Sequence, residues 1–328
     1  MLTPRQNFEE MRRGGNPDRF VKQVEFFKIT PNPIMLQSKS AVRGAGPVQN
    51  AWGVWYDWPE HVVAGFPLHD REHVVIKDIT KWRDYVKHPR YEFPEEAWAP
   101  FAQMAAQVDK TQYYSGTFFF WTIFEQLHGL MGMTECLMNF YEEPEAMHDL
   151  IDYLVDFSVC SIQAITEHMP IDMVYEGDDW GNNKTSFLSP QMFEEFIVPG
   201  YKKIVQTWKE NGVKLVVHHN DSNSANIVPQ MIDIGIDVWQ GCISGNNLPE
   251  LIKKYGDKLV FMGGIDSNKL DAPGWQESEV EAFVRKMCTD CGKHYFIPCL
   301  TQGMAMSTYE GLHECVNDKI DLVSKELF

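Results

Sequence analysis

The stretch 172–221 constrains this chain most: two apolar runs, each breaking into a polar cluster, with a segment of helical periodicity between them. The first run, Ile171-Asp172-Met173-Val174-Tyr175, breaks into Glu176-Gly177-Asp178-Asp179-Trp180-Gly181. The second, Val213-Lys214-Leu215-Val216-Val217, breaks into His218-His219-Asn220-Asp221. The pattern between them predicts a helix over 190–211. Two consecutive strands joined by a helix are a parallel crossover unit, because only a connection of that length returns the chain to the same sheet end. Carboxylates and imidazoles at successive strand C-termini lie where a parallel α/β barrel keeps its chemistry. A metal, a proton or a polar substrate is the expected occupant, and the chain reads as an enzyme.

The alternation extends well beyond this unit. Strands are expected over 24–29, 113–120, 236–239, 259–264 and 294–298. Helices are expected over 3–13, 94–108, 122–131, 133–142, 144–168, 224–234, 247–255, 277–291 and 308–326. Such alternation means βα units and a parallel sheet. About seven strands are recognisable, and an eighth is sought within 51–58 or 61–76. The expectation is a (β/α)8 TIM barrel forming a single domain over 1–328, with 1–75 supplying an N-terminal elaboration and the first strands. No linker-like, low-complexity or repeated segment divides the chain.

Composition narrows the partners. Of 328 residues, 46 are acidic and 29 basic, a formal charge of −17. That balance argues against a surface built for nucleic-acid phosphates or anionic lipid. No apolar run approaches the ~20 residues of a membrane span, and the polar start Met1-Leu2-Thr3-Pro4-Arg5 is unlike a secretory leader. Seven scattered cysteines fit reduced thiols in a cytoplasmic protein. Cys288-Thr289-Asp290-Cys291 has no second pair and reads as structural.

The residues that carry chemistry cluster at strand ends. Glu176, Asp178 and Asp179 are closely spaced carboxylates, which raise one another's pKa or gather a cation; each alone also suits a helix N-cap. Alternation along the second strand turns either His218 or His219 inward and the other elsewhere. Imidazole with carboxylate can bind zinc. Asp266, after Gly263-Gly264, serves as site or cap; Cys299 or Thr301 is a candidate to enter the mouth after the last strand, and a buried inert thiol is an equal reading of Cys299. The aromatics Trp52, Trp55 and Phe118 are candidates for walling a flat substrate, the usual lining of a small-molecule pocket. No glycine-rich phosphate fingerprint or nucleophile elbow is present.

These pieces, taken in order, resemble the uroporphyrinogen decarboxylase superfamily over essentially the whole chain. The resemblance rests on Pro-Arg-x-Asn-Phe and Gly-Asn-Pro-Asp-Arg (residues 4–8 and 15–19), Asp178-Asp179-Trp180-Gly181, Met262-Gly263-Gly264-Ile265-Asp266 and Pro-Cys-x-Thr-Gln-Gly (298–303). It implies a distorted (β/α)8 barrel with a deep mouth. One branch decarboxylates porphyrinogens and carries an arginine-rich motif near its N-terminus; here the comparable region, Phe20-Val21-Lys22-Gln23-Val24-Glu25, lacks it. Another branch comprises zinc-dependent cobamide methyltransferases with His-x-Cys at a strand end. There His218 falls on the ligand histidine, and Asn220 stands where the cysteine would be. The His-His-Asn-Asp variant looks most like the methyltransferase component of O-demethylases. The resemblance then implies transfer of a methyl group from a methoxylated, aromatic substrate to cob(I)alamin on a separate corrinoid protein, giving methylcobalamin. On that reading His218, Asp178, Asp179 and Asp221 are catalytic candidates. His218, Glu176 and Cys299 would hold zinc, while Trp52, Trp55, Phe118, Asn220 and Asp266 would contact substrate. A porphyrinogen carboxy-lyase and a methylcobamide:thiol methyltransferase are the alternatives, and a homo-oligomer stays open.

Overall fold

Strands buried on both faces need near-continuous apolar sequence, and the apolar runs of this chain become the parallel strands of one sheet. The computed structural model describes residues 1–62, 64–303 and 306–328. Its strands in chain order are β1 (Phe27–Ile29), β2 (Val48–Gln49), β3 (Trp55–Asp57), β4 (Phe66–Pro67), β5 (Tyr114–Phe119), β6 (Met173–Gly177), β7 (Leu215–His219), β8 (Val238–Cys242), β9 (Val260–Ile265) and β10 (Phe296–Leu300). The large sheet has seven strands in the order β1-β5-β6-β7-β8-β9-β10, and every pairing within it is parallel.

The side chains show how that sheet is bent. Phe27, Tyr114, Met173, Tyr175, Leu215, Val217, Val238, Val260, Met262, Ile297 and Cys299 come from all seven strands and meet in one buried cluster. A flat sheet could not bring both edge strands to one cluster, so the sheet curls around this inner core. The alternate residues, among them Val174, Val216, Trp239 and Phe261, face outward into a larger core shared with the helices. Among the described residues β1 and β10 are edges of the sheet and do not pair, so the barrel stays open. The expected eighth strand is not part of it. The 51–76 region instead contributes β3 and β4 to a separate antiparallel meander, β2-β3-β4. Its Trp-, Pro- and Gly-rich sequence lacks the continuous apolar run that burial on both faces demands.

The helices follow their expected places closely. Pro4–Arg12 starts with a capping box at Thr3, and its Phe8 and Met11 enter the inner core. Arg5 pairs with Asp172 at 3.1 Å just before β6, and the Met11 carbonyl accepts the Tyr295 N–H just before β10. This helix therefore closes the barrel at the N-terminal ends of the strands, leaving the C-terminal ends open. The helix expected over 190–211 is present but interrupted, since Phe193–Ile197 forms a wider π turn between Pro190–Met192 and Val198–Glu210. No helix among the described residues is long and apolar enough to cross a membrane.

Candidate active site

Strands β6 and β7 run two residues further than their apolar cores. Glu176 pairs with His218 and Gly177 with His219 in the ladder, because a ladder is made by backbone groups and polar side chains do not end it. That extension decides which imidazole faces where. Leu215 and Val217 point into the barrel, so the period of two carries His219 inward and sends His218 out with Val216. His218 is fully buried behind the sheet, stacked on Trp180 with ring centroids 4.2 Å apart. Its Nδ1 lies 3.3 Å from Glu176 Oε1, and Glu176 is also fully buried. Of the expected ligands His218, Glu176 and Cys299, the structure brings the first two together and leaves the third apart from them. The first two form a pair on the helix side of the sheet. Cys299 lies in the inner core, where burial pushes its thiol well above the ordinary range.

His219 takes the place expected of its neighbour. It lines both lobes of a cavity at the C-terminal ends of the strands, of about 440 and 990 Å³. Its Nδ1–H donates to Gln240 Oε1, which also accepts from the Tyr175 hydroxyl at 2.8 Å. Gln240 is held in turn by its Nε2, which donates to the Gln302 carbonyl at 3.0 Å. This leaves the Nε2 lone pair of His219 free, and Asp179 Oδ1 stands 3.9 Å from it. Asp179 Oδ1 also accepts the Asp221 backbone N–H at 3.0 Å. Ligand atoms of Asp179, His219 and Asp221 all lie within 4.8 Å of one another.

The electrostatics of this triad favour a cation. Burial and the neighbouring Asp179 push the Asp221 carboxyl up to about 7. Burial likewise raises Asp179, opposed by His219 and reinforced by Glu125. Two carboxylates that repel each other across an imidazole held in one tautomer fit a divalent ion. The oriented histidine is the arrangement metal sites use to aim a ligand nitrogen. The donor set is one nitrogen and two carboxylates with no thiolate, harder than a cysteine-based zinc site. His219 and Asp221 are two apart in sequence; a His-x-Asp pair one residue later than the His218–Asn220 register is the signal that strand alternation could have supplied.

The remaining expected residues are held by hydrogen bonds to neighbouring segments. Asp178 lines the smaller lobe but is saturated by donors. Its carboxylate accepts the backbone N–H groups of Phe124 and Glu125 at 2.9 and 2.6 Å, Trp180 Nε1 at 3.0 Å and the Tyr201 hydroxyl at 2.8 Å. It caps the helix Phe124–Met131, and burial lifts its pKa to about 6. Asp266 caps Ser267–Leu270 through the Asn268 N–H at 3.1 Å and accepts the Ser244 hydroxyl at 2.7 Å. Asn220 is fully buried and accepts the Trp180 N–H at 3.2 Å. Thr301 is also buried and accepts the Ser267 N–H. Cys288 and Cys291 are buried on one helix, with thiols raised to about 12 by burial, as structural residues should be.

The aromatic wall differs from the expected one. Trp52 packs in the core against Trp121 and Phe157, and Trp55 sits edge-on to His73 on another face. Phe118 supports the wall from beneath, stacked on Phe120 at 5.3 Å. The cavity itself is lined by Tyr56, Trp58, Phe120, Trp121 and Phe187. Glu125 and His128 also line it and escaped sequence reading, because an acidic residue in a first helical turn looks like ordinary capping. Lys39 and Arg43 are the lysine and arginine at its rim among the described residues.

Comparison with known proteins bears on the family and the fold. Among curated proteins the chain is similar to a uroporphyrinogen decarboxylase of Prochlorococcus marinus (strain NATL2A), 24% identical over 151 residues. That match spans 44% of this chain and 40% of that protein, well under two thirds of its length. Among solved structures, a methyltransferase from Methanosarcina mazei superposes with a TM-score of 0.62 at 14% identity, covering 98% of this chain and 99% of that one, a likeness of fold. The family model described as uroporphyrinogen decarboxylase (URO-D) matches residues 116–314, from β5 through the final strand. With well over half of its length in that match, the chain belongs to the uroporphyrinogen decarboxylase family.

Proposed function

We propose that this protein is a corrinoid-dependent methyltransferase. It takes a methyl group from a methoxylated aromatic substrate and delivers it to cob(I)alamin on a separate corrinoid protein. The observation that carries this reading is the thiolate-free triad Asp179–His219–Asp221 at the floor of an aromatic-walled cavity. Transfer breaks the substrate's O–CH3 bond and leaves the electron pair on oxygen. Phenolate is a reluctant leaving group, so the developing charge on that oxygen must be stabilised. Asp179, His219 and Asp221 would hold a divalent ion such as zinc, which when bound supplies Lewis-acid stabilisation at that oxygen.

The chain's own groups do the rest. Gln240 keeps His219 in the tautomer whose Nε2 faces the cavity. Trp58, Phe120 and Trp121 present flat apolar surface to an arene and displace water from around the reacting bond. The wider lobe, reaching Asn182, Asn268 and Thr308, leaves an approach for the second reactant. A divalent ion would balance the two aspartates, and His128 balances Glu125 at 3.0 Å. The floor is then close to neutral, which suits an uncharged ether better than a polycarboxylate porphyrinogen. The thiol-methylating alternative calls for a softer, cysteine-bearing ligand set, and Cys299 is not among the grouped donors.

The test uses the metal-loaded protein with reduced cobalamin and methoxylated arenes. Loss of the cob(I)alamin absorbance with appearance of methylcobalamin, abolished in His219→Ala, is the expected result. No turnover with any methoxyarene, alongside turnover of a porphyrinogen, would overturn it.

A further inference from the structure

Asp271 ends the short helix Ser267–Leu270 and stands behind the cavity wall rather than in its lining. Methyl transfer as set out above leaves it without a role, yet its carboxylate gathers three donors. Oδ2 accepts the Gln302 side-chain amide and the Thr308 backbone N–H, both at 2.6 Å, and Oδ1 accepts the Tyr309 N–H at 3.0 Å. Gln302 lies just after β10, and Thr308 and Tyr309 lie further along the same connection. One carboxylate therefore clips that connection at two places. What it clips lies on His219. A Cβ added at Gly303 would be 3.3 Å from Cε1 of the His219 ring and 3.4 Å from each ring nitrogen. Near-equal distances to three atoms put Gly303 over the face of the ring, since an edge approach would leave the nitrogens clearly further than Cε1. Glycine is what lets the backbone lie so close. The adjoining Gln302 carbonyl accepts Gln240 Nε2 at 3.0 Å and Gln23 Nε2 at 3.2 Å. The Tyr175 hydroxyl reaches both Gln240 Oε1 and the Gly303 carbonyl. His219 is thus gripped twice by one short segment, on its face by Gly303 and at Nδ1 through Gln240.

We propose that Asp271 is a positioning residue for His219, acting through Gln302 and Gly303 to fix the rotation and the tautomer of the imidazole. Partners behind a ligating histidine commonly set both, but they usually touch the ring; here the anchor acts from outside the cavity, through a backbone segment. The role rests on the reading of His219 as a ligand of a divalent ion, and it adds the residue that keeps Nε2 aimed.

Two measurements test this role. The first needs no metal: two-bond proton–nitrogen spectra of protein with isotope-labelled histidine show which ring nitrogen carries the proton, and the His219 signal is the one missing from His219→Ala. The wild type should show His219 as a single Nδ1–H tautomer, and Asp271→Ala should show a mixture of both. The second is Co²⁺ affinity, which Asp271→Ala should weaken by about 10- to 100-fold, the usual effect of removing a partner behind a metal ligand. Asp271→Asn keeps one oxygen for Gln302 and Thr308, so it should fall between. Gly303→Ala breaks none of the Asp271 bonds and should weaken Co²⁺ binding by crowding the ring. Asp109→Ala is the control for loss of structure alone. Asp109 clips the exposed turn before β5 in the same manner, through Thr111 and Gln112, and its removal should leave both readouts at wild-type values. A wild-type tautomer and Co²⁺ affinity in folded Asp271→Ala would overturn the positioning role while leaving the metal site and methyl transfer standing. If that variant fails to fold, the same result in Asp271→Asn and Gly303→Ala overturns it. Absence of Co²⁺ binding by the wild type would overturn the metal reading, and the tautomer comparison would then decide the role of Asp271 by itself.

Discussion

At the scale of single residues, the site turns on a one-position alternation. His218 and His219 are neighbours of identical chemistry, but one is sealed between sheet and helices and the other faces the cavity. Asp178 and Asp179 repeat the lesson in the preceding loop. Asp178 holds four donors and acts as scaffold, whereas Asp179 faces His219. Replacing Asp178 with Ala leaves buried donors unsatisfied and should lower stability by roughly 2–4 kcal/mol, as read from chemical denaturation. Asp178→Asn, which keeps acceptor capacity, should lose less. Equal and negligible losses in both would show that the cap is dispensable. Residue types and clustering were readable in the sequence, including the carboxylates that share the mouth. Which member of each pair points inward follows from alternation only once the strand is carried past its apolar run, because it depends on where the strand ends rather than on what the residue is.

At the scale of elements, β9 shows how tightly the strand ends are packed. Gly263 adopts φ +144°, and a Cβ there would lie 2.7 Å from the backbone nitrogen and oxygen of Cys242. The β8–β9 ladder shifts register at this point, so the glycine allows two backbones to approach where β8 bulges. Gly263→Ala should cost about 2 kcal/mol or more of unfolding free energy, measured by urea titration, and a neutral substitution would contradict the close approach. The helix Phe124–Met131 makes a second prediction. Burial opposes protonation of His128, but Glu125 outweighs it and raises the histidine's pKa above its ordinary 6.5. A raised histidine pKa means that the pair's contribution is fully present below the unfolded value and is lost as pH rises through the folded one. Wild-type protein should therefore lose stability relative to His128→Phe as pH climbs above about 6.5; parallel melting profiles for the two would contradict the ion pair. Element type and order were legible for most of the helices, since long segments of clear periodicity carry their own signal. The π turn at Phe193–Ile197 and the two-residue extensions of β6 and β7 were not, because they are set by packing and by backbone pairing.

At the scale of the whole molecule, curling the sheet brings residues from distant parts of the chain to one end. Asp179 follows β6, His219 ends β7, Glu125 starts a helix after β5, and Tyr56 and Trp58 come from β3 and the β3–β4 connection of the small meander. The apolar runs announced the parallel sheet, but they suggested a closed eight-stranded ring. The 51–76 region instead contributes two strands to a separate three-stranded sheet whose residues help wall the cavity. The local alternation in Trp-Gly-Val-Trp-Tyr-Asp-Trp is the same for a barrel strand and a hairpin, so sequence periodicity could not separate them. On the proposed chemistry, Asp179, His219 and Asp221 form a divalent metal site. Titration of Co²⁺ into metal-free protein, followed by visible absorption, tests it most directly. Saturation at about one ion per chain is expected in the wild type and in His218→Asn, with binding lost in a folded His219→Ala; undiminished Co²⁺ binding by His219→Ala would contradict the metal site.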